Sequence, residues 1–322
     1  MRYLSLFSGI GGFEVAINQA YKNAVCVAYS EIDKHAIKEY ERHYPGHRNL
    51  GDVCKLKKKD IDALGHIDLI VGGFPCNDLS SAKHSNRTGL DGEKSGLFWT
   101  MLKIIKWALK NNQNLKIVIE NNASMAHKWR DMITKELTRV FKQQTYCNYF
   151  DSSQWVIQRR RRYYWTLNLI PAYTGPRLQT MKDVLLPPRL AKKRVLTPGA
   201  INYINASPSH LTTKSGKLIE LVGKDCYSIK HVDYPTRLNS GGSSTKNGFI
   251  RCVDTATNTA YILDHRMCKG DNFVPRTLAK SEINKIFGFP DGYVENNTMK
   301  IYHKLYGMTV VPHVIQFILI HI

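Results

Sequence analysis

Carboxylates are scarce in this chain. Its 322 residues hold 26 Asp and Glu against 46 Lys and Arg, a formal charge of +20 with a pI near 9.6. That imbalance favours a polyanionic partner, nucleic acid first and an anionic membrane surface second, with a merely solubilising surface as the plainer reading. Paired cysteines are also missing. The seven cysteines include no C-x-x-C spacing. This argues against a structural zinc site and a disulfide framework, and for a reducing compartment. Long apolar runs are absent as well. The tail Val310 to Ile322 is too short to span a bilayer and reads as a final helix or strand packed on a core. The first residues meet glycines by Gly9, unlike a signal peptide. There is no internal repeat, and 43% apolar residues are ample for a core in one large domain or two modest ones.

What is present begins with alternating apolar runs and turns. Tyr3 to Phe7 reads as a strand entering Ser8-Gly9-Ile10-Gly11-Gly12, and Phe13, Ala16, Ile17 and Ala20 then recur at helical spacing. Ala24 to Tyr29 is a second strand ending at Glu31, followed by a helix through Ile37, Tyr40 and Tyr44. Gly51-Asp52-Val53 marks a third turn before the strand Ile67 to Val71. This β-α-β-α-β order predicts a parallel, doubly wound, Rossmann-like α/β sheet. Later segments continue it: a helix from Leu97, a strand Lys116 to Ile119 ending at Glu120, a helix through Met132 to Phe141, and a strand Tyr163 to Leu169. From about 173 to 276 the texture changes to scattered Pro, Gly, Ser and Thr with surplus Lys and Arg. This predicts a smaller, irregular, β-rich domain inserted between 1–172 and 277–322.

The centre of the pattern is Val71-Gly72-Gly73-Phe74-Pro75-Cys76. Pro75 fixes its own φ and restricts Phe74, so Cys76 sits on a stiff turn at the carboxyl end of a strand. Open α/β sheets bind their ligands there. Only roughly 3% of an unperturbed thiol is thiolate at neutral pH, so a nucleophilic Cys76 needs local help; the alternative is a small buried hydrophobe. Asn77 to Gly96 reads as a long polar loop, a candidate lid. Glu120 repeats the placement of Cys76, and a carboxyl in the same crevice can hold or donate a proton. In extended chain Arg160 and Arg162 share a face, and two guanidiniums there would bind a carbonyl or phosphate oxygen; a solvated basic turn is the alternative.

Phe7-x-Gly9-x-Gly11-Gly12 is a nucleotide-type loop without the dinucleotide spacing, because Glu14 stands where the third glycine would be. Glu31 follows at the end of the second strand, where a carboxylate meets ribose hydroxyls. An adenosine cofactor lacking a pyrophosphate fits, and S-adenosylmethionine is such a cofactor.

Taken in order, these motifs resemble the cytosine-C5 DNA methyltransferase family. Phe7 to Phe13 is similar to its cofactor loop, Gly73-Phe74-Pro75-Cys76 to its nucleophile turn, and Glu120-Asn121 to its E-N motif. Gln158-x-Arg160-x-Arg162 matches its Q-x-R-x-R, and Phe287 to Tyr293 its F-P-D-x-Y segment. The likeness covers residues 1 to about 170 and 276 to the end. Departures are Asn77 for the usual Gln, Asn122 for Val, and Gly307-Met308-Thr309-Val310 for G-N-[SA]-V. Asn77-Asp78-Leu79-Ser80 and Arg162-Tyr163-Tyr164-Trp165 are closer to the animal de novo enzymes of the family.

The resemblance implies methyl transfer from S-adenosylmethionine to C5 of a flipped-out cytosine in duplex DNA. By it, the catalytic set is Cys76, Glu120, Arg160 and Arg162. Cofactor contacts fall to Phe7, Ser8, Gly9, Ile10, Gly11, Gly12, Glu31, Ile32, Asp52, Val53, Pro75, Leu97, Thr309 and Val310. DNA contacts fall to Ser80, Ser81, Arg87, Arg237, Ser243 and Thr257, the inserted domain reading sequence in the major groove. No metal is expected. A tRNA substrate and a catalytically silent relative are the alternatives. A monomeric cytoplasmic protein of a prokaryote or phage, with or without a restriction endonuclease, is the expected setting.

Overall fold

The computed structural model describes residues 1–75, 90, 96–191, 227–230, 250–252, 260–263, 275–295 and 297–322. By contacts the chain forms two compact units. The first is Met1–Asp151, Arg161–Thr174 and Thr309–Ile322; the second is Ser152–Arg160 and Gly175–Met308. These boundaries differ from the expected division: residues 152–160 and 277–308 group with the later segment.

The first unit is built on a six-stranded sheet. Its strands are β1 (Arg2–Leu6), β2 (Val25–Ser30), β3 (Leu69–Gly73), β4 (Lys116–Asn122), β5 (Tyr146–Asp151) and β7 (Arg161–Thr166), in the order β2-β1-β3-β4-β7-β5. The two-residue β6 (Gln158–Arg159) lies in the second unit. Strands β1 to β4 are parallel, as expected of crossovers through helices. The later part departs from the all-parallel expectation, because β7 runs antiparallel to both β4 and β5. Only residues 152–160 link β5 to β7. That is shorter than the dozen or more residues a parallel crossover requires. Strand β5 itself was not legible in the sequence: its buried face carries the polar Asn148 beside Phe150 while the aromatic Tyr149 faces outward, so the apolar alternation is hidden.

Helices α1 (Gly12–Ala20), α2 (Lys34–His43), α3 (Lys58–Asp62), α4 (Leu97–Asn111) and α5 (His127–Phe141) supply the connections. The apolar stripes of α3, α4 and α5 meet the sheet in a core that includes Leu4, Leu6, Ile61, Ile70, Phe98, Met101, Ile105, Ile117, Ile119, Ile133, Leu137 and Trp165, while α1 and α2 bury Phe13, Ala16, Ile17, Ala36 and Tyr40. The apolar tail is a helix, Pro312–Leu319, packed along α1, with the Tyr21 hydroxyl donating to Leu319 O at 2.6 Å. Because β2 lies on one side of β1 and β3 on the other, the order in which strands are added reverses between β1 and β3. The crevice outside their carboxyl ends is where such sheets bind ligands. Among the described residues no helix is long and apolar enough to cross a membrane.

In the second unit the described strands form an antiparallel trio, Tyr227–Lys230, Ala260–Leu263 and Pro275–Thr277, and a parallel pair, β6 with Ile250–Arg251. Helices Lys280–Phe287 and Met299–Met308 enclose an aromatic knot of Phe287, Phe289, Tyr293, Tyr302 and Tyr306. The Asn284 amide sits at its centre, facing the Tyr302 and Tyr306 hydroxyls and the backbone N–H groups of Gly292 and Tyr293. In the F-P-D-G-Y segment the two aromatics are packing residues: Phe289 and Tyr293 are buried while Pro290, Asp291 and Gly292 face solvent.

Candidate active site

The glycine loop takes its shape from three positive φ angles: Phe7 at 54°, Gly9 at 58° and Gly11 at 89°. A bulky residue rarely adopts that conformation, and such strain gathers at functional sites. The loop is pinned by Gly11 N–H to Ser8 O at 3.0 Å, and by the Ser8 N–H and hydroxyl to Ser30 O, both at 3.2 Å. A Cβ on Gly9 would meet nothing within 4 Å, so open space lies in front of that backbone.

Glu31 locks this loop to the end of β2. Its Oε2 accepts the Gly9 N–H at 2.8 Å, and its Oε1 accepts the Ile32 and Asp33 N–H groups, each at 2.8 Å. Asn49, which the sequence reading passed over, braces Glu31 from the next loop. Its Oδ1 accepts the Glu31 and Gly51 N–H groups at 3.3 and 2.8 Å, and its Nδ2 donates to Glu31 O at 3.2 Å. Asp52 follows, its Oδ1 capping a short 3₁₀ turn by accepting the Cys54 N–H at 2.9 Å.

The other expected cofactor residues also lie in the first unit. Ile10 is fully buried, which leaves only its backbone for a ligand. Ser8, Gly12, Val53, Thr309 and Val310 are buried, Pro75 and Leu97 partly so, and Ile32 is exposed. The residues present suit an adenosyl group: half-exposed loop backbone at Gly9 with open space before it, one carboxylate at the end of β2, a second at the following turn, and apolar walls.

The second half of the site is an ion pair. Glu120, at the end of β4, and Arg162, on β7, meet at 2.7 Å from Oε1 to Nε. In the register Glu120 faces Tyr164 and Asn122 faces Arg162, so the pair is a cross-strand diagonal on one face. The two side chains are only 13% and 12% exposed, which shields the pair from water. Gly73 lies opposite Glu120 across β3 and β4. A Cβ there would stand 2.6 Å from Glu120 Oε2, so the second glycine of the Gly72-Gly73 turn makes room for the carboxylate. Asn121, 1% exposed, donates from Nδ2 to Phe74 O at 3.0 Å and ties the turn before Cys76 to β4. The E-N motif thus divides its labour: the carboxylate stands in the crevice and the amide holds the turn.

Arg160 belongs to the second unit. It is buried, with Nη2 donating to Gly307 O at 2.9 Å, Nη1 to Cys252 Sγ at 3.3 Å, and the guanidinium 5.5 Å from the Phe287 ring centre. The expectation that Arg160 and Arg162 would act as a matched pair on an extended strand meets a break, since β6 ends at Arg159 and β7 begins at Arg161. Cys76, Ser80, Ser81, Arg87, Arg237, Ser243 and Thr257 lie outside the described residues. Among the described residues no cluster of three or more His, Cys, Asp or Glu side chains has the arrangement of a metal site.

The chain is 25% identical over 337 aligned positions to the type II methyltransferase M.HhaI of Haemophilus parahaemolyticus, covering 99% of this chain and 93% of that protein. It is 26% identical over 312 positions to the type II methyltransferase M1.ScrFI of Lactococcus lactis subsp. cremoris, covering 91% and 70%. A shorter match, 37% over 123 positions, joins it to the orphan methyltransferase M.SPRI of Bacillus phage SPR, covering 38% of this chain and 26% of that one. In fold it is similar to the Entamoeba histolytica methyltransferase EhMeth, with a TM-score of 0.70 at 15% identity, covering 100% and 97%. It is likewise similar to Schizosaccharomyces pombe Dnmt2, with a TM-score of 0.67 at 18% identity, covering 99% and 97%. The model of the C-5 cytosine-specific DNA methylase family matches residues 1–322, and the chain belongs to that family.

Proposed function

We propose that this protein transfers a methyl group from S-adenosylmethionine to C5 of a cytosine flipped out of a specific duplex DNA site. The observation that carries this reading is the shielded Glu120–Arg162 pair, seated over Gly73 and joined through Asn121 to the turn that leads into Cys76. A carboxylate, a guanidinium and a thiol are the groups needed to activate a pyrimidine ring that is inert by itself.

Glu31 would hold the ribose of the cofactor, Asp52 the adenine amine, Phe7 the adenine face, and the Gly9 to Gly12 backbone the remaining edge. S-adenosylmethionine, when bound, supplies an electrophilic methyl group. The chain's own residues do the rest. The Cys76 thiolate attacks C6 of the cytosine and forms a C–S bond, and the electron pair displaced from the C5–C6 double bond makes C5 nucleophilic. Glu120 gives its proton, or a hydrogen bond, to N3, which draws electron density from C6. Arg162 keeps the Glu120 carboxyl turned toward N3 and offers a guanidinium N–H to O2. After C5 gains the methyl group, a base removes its proton, the C–S bond breaks and the thiolate leaves. Arg160, turned to Gly307 and Phe287, serves as a positioning residue for the second unit. Ser80, Ser81, Arg87, Arg237, Ser243 and Thr257 remain the proposed DNA contacts, and residues 173–276 the proposed recognition domain.

The setting is the cytoplasm of a prokaryote or a phage-infected cell, with the protein acting as a monomer. M1.ScrFI and M.HhaI are named type II methyltransferases and M.SPRI an orphan, so either a cognate restriction endonuclease or none accords with the relatives. The test is transfer of labelled methyl from S-adenosylmethionine to unmethylated duplex DNA, with tRNA alongside. Label at cytosine C5 of DNA is expected. Label only in tRNA changes the substrate, and no label in either overturns the reading. Glu120→Gln should lower kcat by about a hundredfold or more while DNA still binds.

A further inference from the structure

Glu14 is the only acidic side chain of α1, two residues past the glycine loop, and it is fully buried. Its Oε1 accepts the Tyr40 hydroxyl from α2 at 3.0 Å. The same hydroxyl lies 3.0 Å from Nδ1 of His47 and 3.8 Å from Sγ of Cys26. His47 is stacked on Tyr44, with rings 8° from parallel, and its backbone N–H donates to Tyr44 O. Two residues on stands Asn49, which holds Glu31 and Gly51. Glu31 in turn holds the Gly9 N–H. These links close a circuit: α1, Tyr40, His47, Asn49, Glu31, the glycine loop, and α1 again. It encloses the three elements assigned above to the adenosyl group.

We propose that Glu14, Tyr40 and His47 are positioning residues for the cofactor, a buried hydrogen-bond relay that sets the 47–52 loop according to whether Glu14 carries a proton. The inference rests on the cofactor reading above. Tyr40 has a single hydroxyl proton. With Glu14 ionised, Tyr40 donates to Oε1 and its oxygen accepts from His47 Nδ1–H. With a proton on Glu14 Oε1, the direction reverses: Glu14 donates to Tyr40, Tyr40 donates to a bare Nδ1, and the His47 proton moves to Nε2. The ionised arrangement has the stronger, charge-assisted bonds and anchors the loop more firmly.

The groups facing Glu14 are Ser5 and Tyr3 on β1, Cys26 on β2, and Tyr40 with Tyr44 and His47 from α2 and its exit. The helix Pro312–Leu319, packed along α1, brings His313 as its one titratable side chain. Burial pushes Cys26 up to about 12 and Tyr3 and Tyr40 far above neutrality, and it holds His47 and His313 below the ordinary imidazole range. Burial lifts Glu14 to about 7, against the opposing pull of the nearby Ser5, its own backbone N–H and the Tyr40 hydroxyl. Glu14 is therefore the member of the cluster that changes charge near neutrality.

The experiment is calorimetric titration of the full chain with S-adenosylmethionine from pH 6 to pH 8. Affinity should rise about fivefold across that range with a midpoint near 7, a coupling of the size typical between linked sites. Glu14→Gln and Tyr40→Phe should each flatten the profile. The His47 ring nitrogen shifts should change near the same midpoint in the wild type and not in Glu14→Gln. A purely structural role would weaken binding by one factor at every pH, and that result overturns the proposal. So does a wild-type midpoint retained in both variants. Should Glu14→Gln fail to fold, Tyr40→Phe and the half-buried His47→Asn decide it. Failure of the wild type to bind at any pH would instead overturn the cofactor reading itself.

Discussion

Adjacent glycines in the Gly72-Gly73 turn answer to different neighbours. A Cβ on Gly72 would stand 2.4 Å from the backbone oxygen of Leu6, which cannot move without disturbing β1. A Cβ on Gly73 would stand 2.6 Å from Glu120 Oε2, the end of a side chain that can swing aside. Gly72→Ala should therefore destabilise the fold by about 1–3 kcal/mol through overpacking, read as a lowered denaturation midpoint. Gly73→Ala should leave that midpoint nearly unchanged and reduce methyl transfer by about tenfold or more, because a misplaced acid loses its transition-state geometry. Equal effects of the two on stability would contradict the geometry. The buried Glu14 makes a separate forecast. Its carboxyl is raised in the fold from 4.5 to about 7, so the native state holds the proton more tightly than the unfolded chain. The stability this confers is fully present below about pH 4.5 and is lost as pH rises through 7, an effect on the order of 3 kcal/mol. Denaturant midpoints taken from pH 4.5 to 8 should fall along that window, and Glu14→Gln should remove the fall.

At the scale of elements, the β3 turn and the end of β4 behave as one piece because Asn121 joins them. Asn121→Ala removes the donor to Phe74 O and the acceptor for the Asn122 N–H, leaving buried backbone groups unpaired. The expected cost is about 1–3 kcal/mol. Cys76 should then react more slowly with cytosine while S-adenosylmethionine affinity holds, measured by single-turnover methylation beside calorimetry. Much of this piece was legible beforehand. An apolar run, two glycines and a proline announce a strand and a stiff turn, and Glu120 after Ile117 to Ile119 announces a second strand end. The role of Asn121 was not legible, because its partner Phe74 is 47 positions away and no local periodicity encodes that pairing. Asn49 and Tyr40 were missed for the same reason: a polar side chain in a loop and a tyrosine on a helix face look ordinary until the elements carrying Glu31 and Glu14 are set beside them. Strand β5 was missed because its inward position 148 is an asparagine, satisfied by Thr166 and Ile170, and its outward position 149 is a tyrosine, so polarity does not track burial along it.

For the whole molecule, charge is the dominant statement. A formal +20 on 322 residues implies that binding to nucleic acid releases many counterions. Affinity for duplex DNA should fall by about a thousandfold or more between 50 and 200 mM salt, measured by fluorescence anisotropy on non-cognate duplex. A slope near zero would mean that the basic surplus serves solubility and not the substrate. The division into two compact units carries a second lesson. In extended chain Arg160 and Arg162 of the Q-x-R-x-R stretch would share a face, yet Arg160 binds Gly307 O in the second unit while Arg162 binds Glu120 in the first. Identical residue types two positions apart take different work because the strand breaks between them.

The sequence by itself determined the order of strands β1 to β4 with helices α1, α2 and α4, the family, and the identity of the groups at the strand ends. Each is encoded locally, in apolar period, turn residues and short motifs. Only the tertiary structure decided that β7 runs antiparallel, that Gly73 exists for Glu120, that Arg160 and Arg162 part company, and that a buried Glu14 reaches His47 through Tyr40. Those outcomes depend on which distant segments come within hydrogen-bond or van der Waals reach, a matter of packing in three dimensions that no stretch of this chain carries alone.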